Sequence, residues 1–394
     1  MLSLDKSRND GGVMLNKKEV TYAAWFQQIE GIGDRTLYAL GKAFESFEDA
    51  YKAKEETLKM VLNEKQFLHY KESKQKVTPK EYMEVMLQKG IRYVPHFDAV
   101  FPNKLLHIPN PPFALFVKGN LPQENRPSVA MIGTRACSEY GKEVASYFAG
   151  ELAKYGVQVV SGMARGIDAI SQANCLKAGG DTYAVLGCGV DICYPSEYRK
   201  LYDNISMQGG VISTYIPGTQ PQAGYFPARN RIISGLSDVV LVVEAGNKSG
   251  TLITVDMALE QGREVAVIPG RITDRLSHGC LKLLKQGASV VLDIDELLEL
   301  IKENFSLQPQ FDKIFGDKYK FGKSGIDFNK NISLSKEQKS VLQILSKEPK
   351  DAEKLYELWM KNGASGTFTQ FLEVVMDLEL LDLCKSNKNF FYIR

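Results

Sequence analysis

Between residues 128 and 292 the chain reads as short apolar runs separated by amphipathic stretches. The runs lie at 129–132, 157–160, 183–186, 211–212, 239–243, 265–268 and 290–292, and most are continuously apolar. Strands covered on both faces need such runs, whereas a strand with one wet face alternates. Helical spacing fills the intervals at 141–154, 167–178, 196–205, 229–235, 252–261 and 281–286. This is the order of βαβ units, and seven strands in one sheet predict an extended Rossmann-like, doubly wound, mostly parallel α/β domain.

The flanks read differently. Tyr22, Trp25, Phe26 and Ile29 repeat at helical spacing, as do Leu37, Leu40, Phe44 and Phe47 after a break at Gly31-Ile32-Gly33. An apolar residue between two glycines resembles the loop of a helix-hairpin-helix, whose amides can meet a DNA phosphate; a plain helix–helix turn is the alternative. Residues 91–125 are rich in proline and extended, with a strand-like stretch at 113–117. After a polar, aperiodic stretch from about residue 308, helices return at 336–345, 352–362 and 367–379. They are followed by short strands at 381–384 and 390–393, with a turn at Ser386-Asn387. Three helices and a hairpin predict a winged helix. The expected division is a helical domain over 1–90, a Rossmann-like domain over 91–306 with a proline-rich lead-in, a linker over 307–333 and a winged helix over 334–394.

Length supports this division, since 394 residues exceed what one core usually holds. The six cysteines form no Cys-x-x-Cys pair, the first residues carry no apolar signal segment, and no run approaches the roughly 20 apolar residues that span a bilayer. A cytoplasmic protein without a membrane role is expected. The net charge of +2 excludes a protein that coats DNA indiscriminately, so any nucleic acid must be held by local positive sites and oriented backbone dipoles.

Open parallel sheets bind ligands beyond the carboxyl ends of their strands. There the chain places Gly133-Thr134-Arg135, Ser161-Gly162-Met163-Ala164-Arg165-Gly166-Ile167-Asp168, Gly187-Cys188-Gly189, Ser249-Gly250-Thr251 and Pro269-Gly270. Small residues let phosphate oxygens reach backbone amides, and Thr134, Ser161, Ser249 and Thr251 add hydroxyls; tight turns serving packing alone are the alternative. Arg229-Asn230-Arg231 opens a predicted helix. Cations in a first turn oppose the helix dipole at about 0.3–1 kcal/mol each, which points to an anionic ligand. An arginine paired with a buried acid such as Glu244 is the alternative, with Asp168 capping its own helix.

Several motifs in order then resemble the bacterial DNA-processing protein A (Smf) family: Gly133-Thr134-Arg135, Ser161-Gly162-x-Ala164-x-Gly166-Ile167-Asp168, Tyr194-Pro195, Phe226-Pro227-x-Arg229-Asn230-Arg231-Ile232-Ile233-Ser234-Gly235, Ser249-Gly250-Thr251-Leu252-Ile253-Thr254, Pro269-Gly270 and Gly287-Ala288. The likeness covers roughly residues 93–300. It implies a non-enzymatic, dimerising binder of single-stranded DNA that protects incoming DNA and helps load a RecA-type recombinase in natural transformation. Arg135 would grip phosphate, with Gly133, Thr134, Ser161, Gly162, Arg165, Gly187, Arg229, Asn230, Arg231, Ser249, Gly250 and Thr251 completing the DNA site. The chain departs from the family pattern at Ser171-Gln172, Ser196, Thr214 and Leu281.

The rival is a nucleotide-binding phosphoribohydrolase-like enzyme on the same fold, which needs a carboxylate to stabilise an oxocarbenium-like centre. Thr254 stands where that carboxylate would be. Gly187-x-Gly189 lacks the third glycine of a dinucleotide fingerprint, and the four histidines share no ligand spacing with cysteine. No catalytic residue, cofactor or metal is therefore expected.

Overall fold

The computed structural model describes residues 17–305, 335–345, 350–363, 366–380, 384–387 and 390–393. The chain forms two compact units, divided after residue 320. The first begins with six helices, α1 Lys17–Gln27, α2 Asp34–Ala43, α3 Phe47–Lys52, α4 Glu55–Leu58, α5 Glu64–Lys76 and α6 Pro79–Gln88. Capping boxes at Asn63 and Thr78 fix the starts of α5 and α6. Trp25 and Phe26 are fully buried and share a core with Phe113, Phe116 and Tyr202 of the α/β part.

Then follow β1 Ile91–Pro95, α7 Asn103–Leu106, β2 Ala114–Gly119, β3 Ser128–Gly133, α8 Glu139–Lys154, β4 Gln158–Ser161, α9 Ile167–Lys177, β5 Thr182–Val185, α10 Arg199–Gln208 and β6 Gly210–Ser213. The unit closes with α11 Tyr225–Gly235, β7 Val239–Glu244, α12 Thr251–Glu260, β8 Glu264–Val267, α13 His278–Lys285, β9 Ser289–Val290 and α14 Ile294–Asn304. All nine strands form one sheet in the order β1-β2-β6-β5-β4-β3-β7-β8-β9. The seven strands expected from apolar runs are present and mutually parallel. The sheet is larger than expected because β2 pairs antiparallel with β6, and β1 with β2. Proline-rich sequence suggested a connector there; Pro102, Pro109, Pro111 and Pro112 lie between β1 and β2, and Pro95 stands at the end of the edge strand β1.

Alternation within the strands explains their continuous apolarity. Val129 and Met131 of β3, with Val239, Leu241 and Val243 of β7, face the core beneath α8 and α14. Ala130, Ile132, Val240 and Val242 face the opposite core, closed by α11, α12 and α13. From β3 the chain runs through β4, β5 and β6 to one side, then returns with β7, β8 and β9 on the other. The order reverses between β3 and β7, and their following helices, α8 and α12, lie on opposite faces. A crevice opens at such a reversal.

The second unit contains α15 Lys336–Ile344, β10 Lys350–Asp351, α16 Ala352–Lys361, α17 Phe368–Leu380, β11 Cys384–Asn387 and β12 Phe390–Ile393. Trp359, Phe371 and Val375 anchor its own core. The expected turn at Ser386-Asn387 is strand, since both residues pair with β12, and β10 adds a third strand that the sequence pattern did not suggest. The predicted linker 307–333 and the run 381–383 lie outside the described residues. Among the described residues no helix is long and apolar enough to cross a membrane.

Candidate functional site

The crevice between β3 and β7 is a cleft of about 680 Å³. The loop after β3 contributes Gly133, Thr134 and Arg135, the loop after β7 contributes Ser249, Gly250 and Thr251, and α11 contributes Phe226, Arg229 and Asn230. A narrower slot continues from it beside Gly162, Arg165, Gly187 and Phe226. Eleven of the thirteen residues expected at a DNA site line these two spaces, the exceptions being Ser161 and Arg231.

Arg135 is exposed, and its guanidinium lies 5.7 Å from the centroid of the Phe226 ring. The side chain of Asn230 is half-buried on the same wall. Opposite, Gly250 caps α12 with open space where a Cβ would stand, and Ser249 Oγ donates to Thr251 Oγ1 at 2.8 Å. The Thr251 amide donates to Ser249 Oγ at 3.2 Å and the Leu252 amide to the Ser249 carbonyl at 3.1 Å. The start of α12 thus offers the cleft two hydroxyls and its dipole, beside a guanidinium and a carboxamide, a donor set suited to an anion. The wall is also aromatic: the rings of Tyr194 and Phe226 are 5.5 Å apart, Tyr194 is exposed, and Ile253 adds an exposed apolar surface.

The other strand-end glycines serve the protein itself. A Cβ on Gly133 would strike Ile167, one on Gly162 would strike the Arg229 guanidinium, and one on Gly187 would approach Phe226 Cδ1 to 3.0 Å. Gly166 has φ of +77° and lies against the Thr134 and Arg135 carbonyls, so only glycine fits. The Thr134 amide is also engaged, donating to the Glu244 carbonyl at 2.8 Å.

Arg229 is not in a first turn, because α11 begins four residues earlier, at Tyr225. It is 5% exposed, and its Nη1 donates to the Gly162 carbonyl at 2.8 Å and to the Val185 carbonyl. Its acidic neighbour is Asp168 rather than Glu244. Asp168 accepts from the Gly162 amide at 3.1 Å instead of capping its own helix, whose cap position is Gly166. Burial pushes its carboxyl above the usual range, against the pull of Arg229 and the amides. Glu244 is committed elsewhere, accepting from the Ser138 amide at 2.9 Å and the Ser138 hydroxyl at 2.5 Å. Arg229 therefore pins two strand ends beneath the cleft, leaving Nε without a partner among the described residues.

Ser161 is fully buried and donates to the Met131 carbonyl at 2.7 Å, so it joins β4 to β3 and does not reach the cleft. Arg231 leaves the cleft altogether: it donates to the Asn110 carbonyl at 2.5 Å and lies 3.7 Å from Asp34 at the start of α2. Arg165 stays at the rim, its Nε donating to Glu197 at 2.6 Å. In the Gly31-Ile32-Gly33 loop Ile32 is buried while both glycines are exposed, and the Gln66 side chain donates to the Gly31 carbonyl at 2.7 Å.

Thr254 is buried at the cleft wall, and among the described residues the acid lining the cleft is Asp168, already accepting from the Gly162 amide. Phe226 and Tyr194 were not counted among the expected contacts, although both stand in motifs that the sequence displays, Phe226-Pro227 and Tyr194-Pro195. The signal was present; it is the fold that turns both rings toward one space.

The fold and cleft define a class: a doubly wound α/β protein with a donor-rich, aromatic-walled cleft at its topological switch point. Within that class, residues 92–302 match the family of DNA recombination-mediator protein A, and the chain belongs to that family. It is 38% identical to Protein Smf of Synechocystis sp. (strain ATCC 27184 / PCC 6803 / Kazusa) over 291 residues, spanning 72% of this chain and 73% of that protein. The X-ray structure of DNA processing protein A from Streptococcus pneumoniae matches 71% of this chain and 97% of its own, with a TM-score of 0.60 at 33% identity. The DNA processing protein A of Helicobacter pylori, a structure concerned with that protein's single-stranded DNA binding mode, matches 55% of this chain and 97% of its own, with a TM-score of 0.50 at 31% identity.

Proposed function

We propose that this chain binds single-stranded DNA in the β3/β7 cleft without acting on it chemically. The observation that carries the reading is the pairing of an exposed Arg135 with the Phe226 and Tyr194 rings, opposite the start of α12. Phosphates suit the guanidinium and hydroxyls, and aromatic faces suit unpaired bases, which a duplex keeps stacked inside itself. Thr254 and the engaged Asp168 favour binding over glycosidic hydrolysis, which needs an available carboxylate.

Kinship supports the wider reading. The protein protects incoming single strands in the cytoplasm, acts as a homodimer and hands DNA to a RecA-type recombinase during natural transformation or recombination. The domain order we propose is a helical domain over 1–90, the DNA-binding domain over 91–306, a linker and a winged helix over 334–394.

Arg135→Ala tests the site directly. Loss of one charge-assisted phosphate contact should weaken single-strand binding by about 1.5–3 kcal/mol, and the exposed position should leave the melting temperature unchanged. Anisotropy titration beside a thermal melt reads both. Unchanged affinity in a folded variant would place the DNA elsewhere.

A further inference from the structure

A second concavity, of about 650 Å³, lies between α9 and α10 and includes Leu176, Lys177, Tyr198, Lys200 and Met207. It shares a rim with the slot already described: Arg165 lines the slot, Glu197 lines the groove, and the two are joined by the 2.6 Å ion pair. We infer that this groove carries the same single strand onward from the cleft, with Lys177 and Lys200 holding phosphates. The inference rests on the proposed function.

Three features favour that occupant. Lys177, in the last turn of α9, and Lys200, in the first turn of α10, are exposed, and neither has an ion-pair partner among the described residues. Lys200 stands at a helix start, where a cation opposes the dipole and an anion would relieve it. The acids nearby are neutralised, Glu197 by Arg165 and Asp203 by Arg199 at 3.0 Å. The groove also carries apolar surface: Met207 is 73% exposed, and the half-buried Leu176 and Tyr198 line the same space. Isolated cations on such a floor suit a strand whose phosphates point outward and whose bases lie flat. A single strand can turn over the Arg165–Glu197 rim. A duplex, with a persistence length of about 50 nm, cannot follow that corner without large strain.

The test uses the full chain carrying Lys177→Glu and Lys200→Glu together, titrated with oligothymidylates of about 6 and about 20 nucleotides. The short strand fills the cleft alone; the long one reaches the groove. The expected result is a roughly tenfold loss of affinity for the long strand, with its log–log salt slope reduced by about 1.4, two phosphates' worth, and the short strand bound as tightly as by the wild type. An unchanged long-strand affinity, or an equal loss at both lengths, overturns the inference. Arg135→Ala in the same titration separates the two ideas: if it weakens the short strand while the double variant changes nothing, the cleft stands and the groove falls. If wild-type binding of the short strand ignores Arg135, the cleft reading itself has failed.

Discussion

Arg135 and Arg229 present the same guanidinium to the same cleft region, yet one faces solvent over an aromatic ring while the other is clamped beneath the floor. Their variants should therefore separate cleanly. Where Arg135→Ala affects binding alone, Arg229→Ala leaves the Gly162 and Val185 carbonyls without their donor, at a cost of about 1–3 kcal/mol for each buried group left unsatisfied, so the melting temperature should fall. An unshifted melt would show that Arg229 is free to serve DNA. Gly162→Ala should destabilise by about 1–3 kcal/mol for the related reason that its Cβ meets the Arg229 guanidinium; a chemical-denaturation midpoint equal to wild type would contradict it. At this scale the sequence was only partly legible. Glycine at strand ends was visible, but whether a missing Cβ leaves open space, as at Gly250, or makes room for a neighbouring side chain, as at Gly133 and Gly162, depends on contacts remote in sequence.

Elements were legible where periodicity alone decides them and obscured where partners decide. The seven parallel strands and the helix between each pair follow from apolar runs, because burial on both faces leaves no other composition. The edge strand β1 was hidden by prolines, while β2 was visible only as a strand-like stretch at 113–117 with no sign of its antiparallel partners. The helix α11 begins at Tyr225, four residues before the helix expected from Arg229, with Pro227 inside its first turn, where its missing N–H is harmless. The contact between α2 and α11, through Asp34 and Arg231, joins two segments no local pattern links. Near that junction His96 is wedged among Tyr38, Phe97 and Phe113, its Nδ1 buried and without a hydrogen-bond partner, and burial holds its pKa below the usual 6.5. A histidine kept neutral in the fold gives stability that is present above pH 6.5 and is lost as pH falls below it, since the unfolded chain takes up the proton first. The contribution of His96 should therefore lower the melting temperature between pH 7 and pH 5 relative to a His96→Phe variant, against the opposite contribution of buried carboxyls such as Asp168. An identical slope in the variant would show that His96 makes no such contribution.

On the scale of the whole molecule, charge sorts the roles of its parts. The net charge of +2 leaves DNA binding to local sites, and α17 of the second unit, where a duplex-reading helix would carry lysine and arginine, has Glu373, Asp377 and Glu379 and no basic residue. Deleting residues 334–394 should leave single-strand affinity nearly unchanged, which a titration of the truncated, folded protein checks; a large loss would show that the second unit grips DNA. If the cleft takes unpaired bases as well as phosphates, titrating the full chain with a single strand and with a duplex of equal length at one salt concentration should show clearly tighter binding of the single strand, because only there are bases free to meet Phe226 and Tyr194. Equal or tighter binding of the duplex would contradict this reading of the cleft.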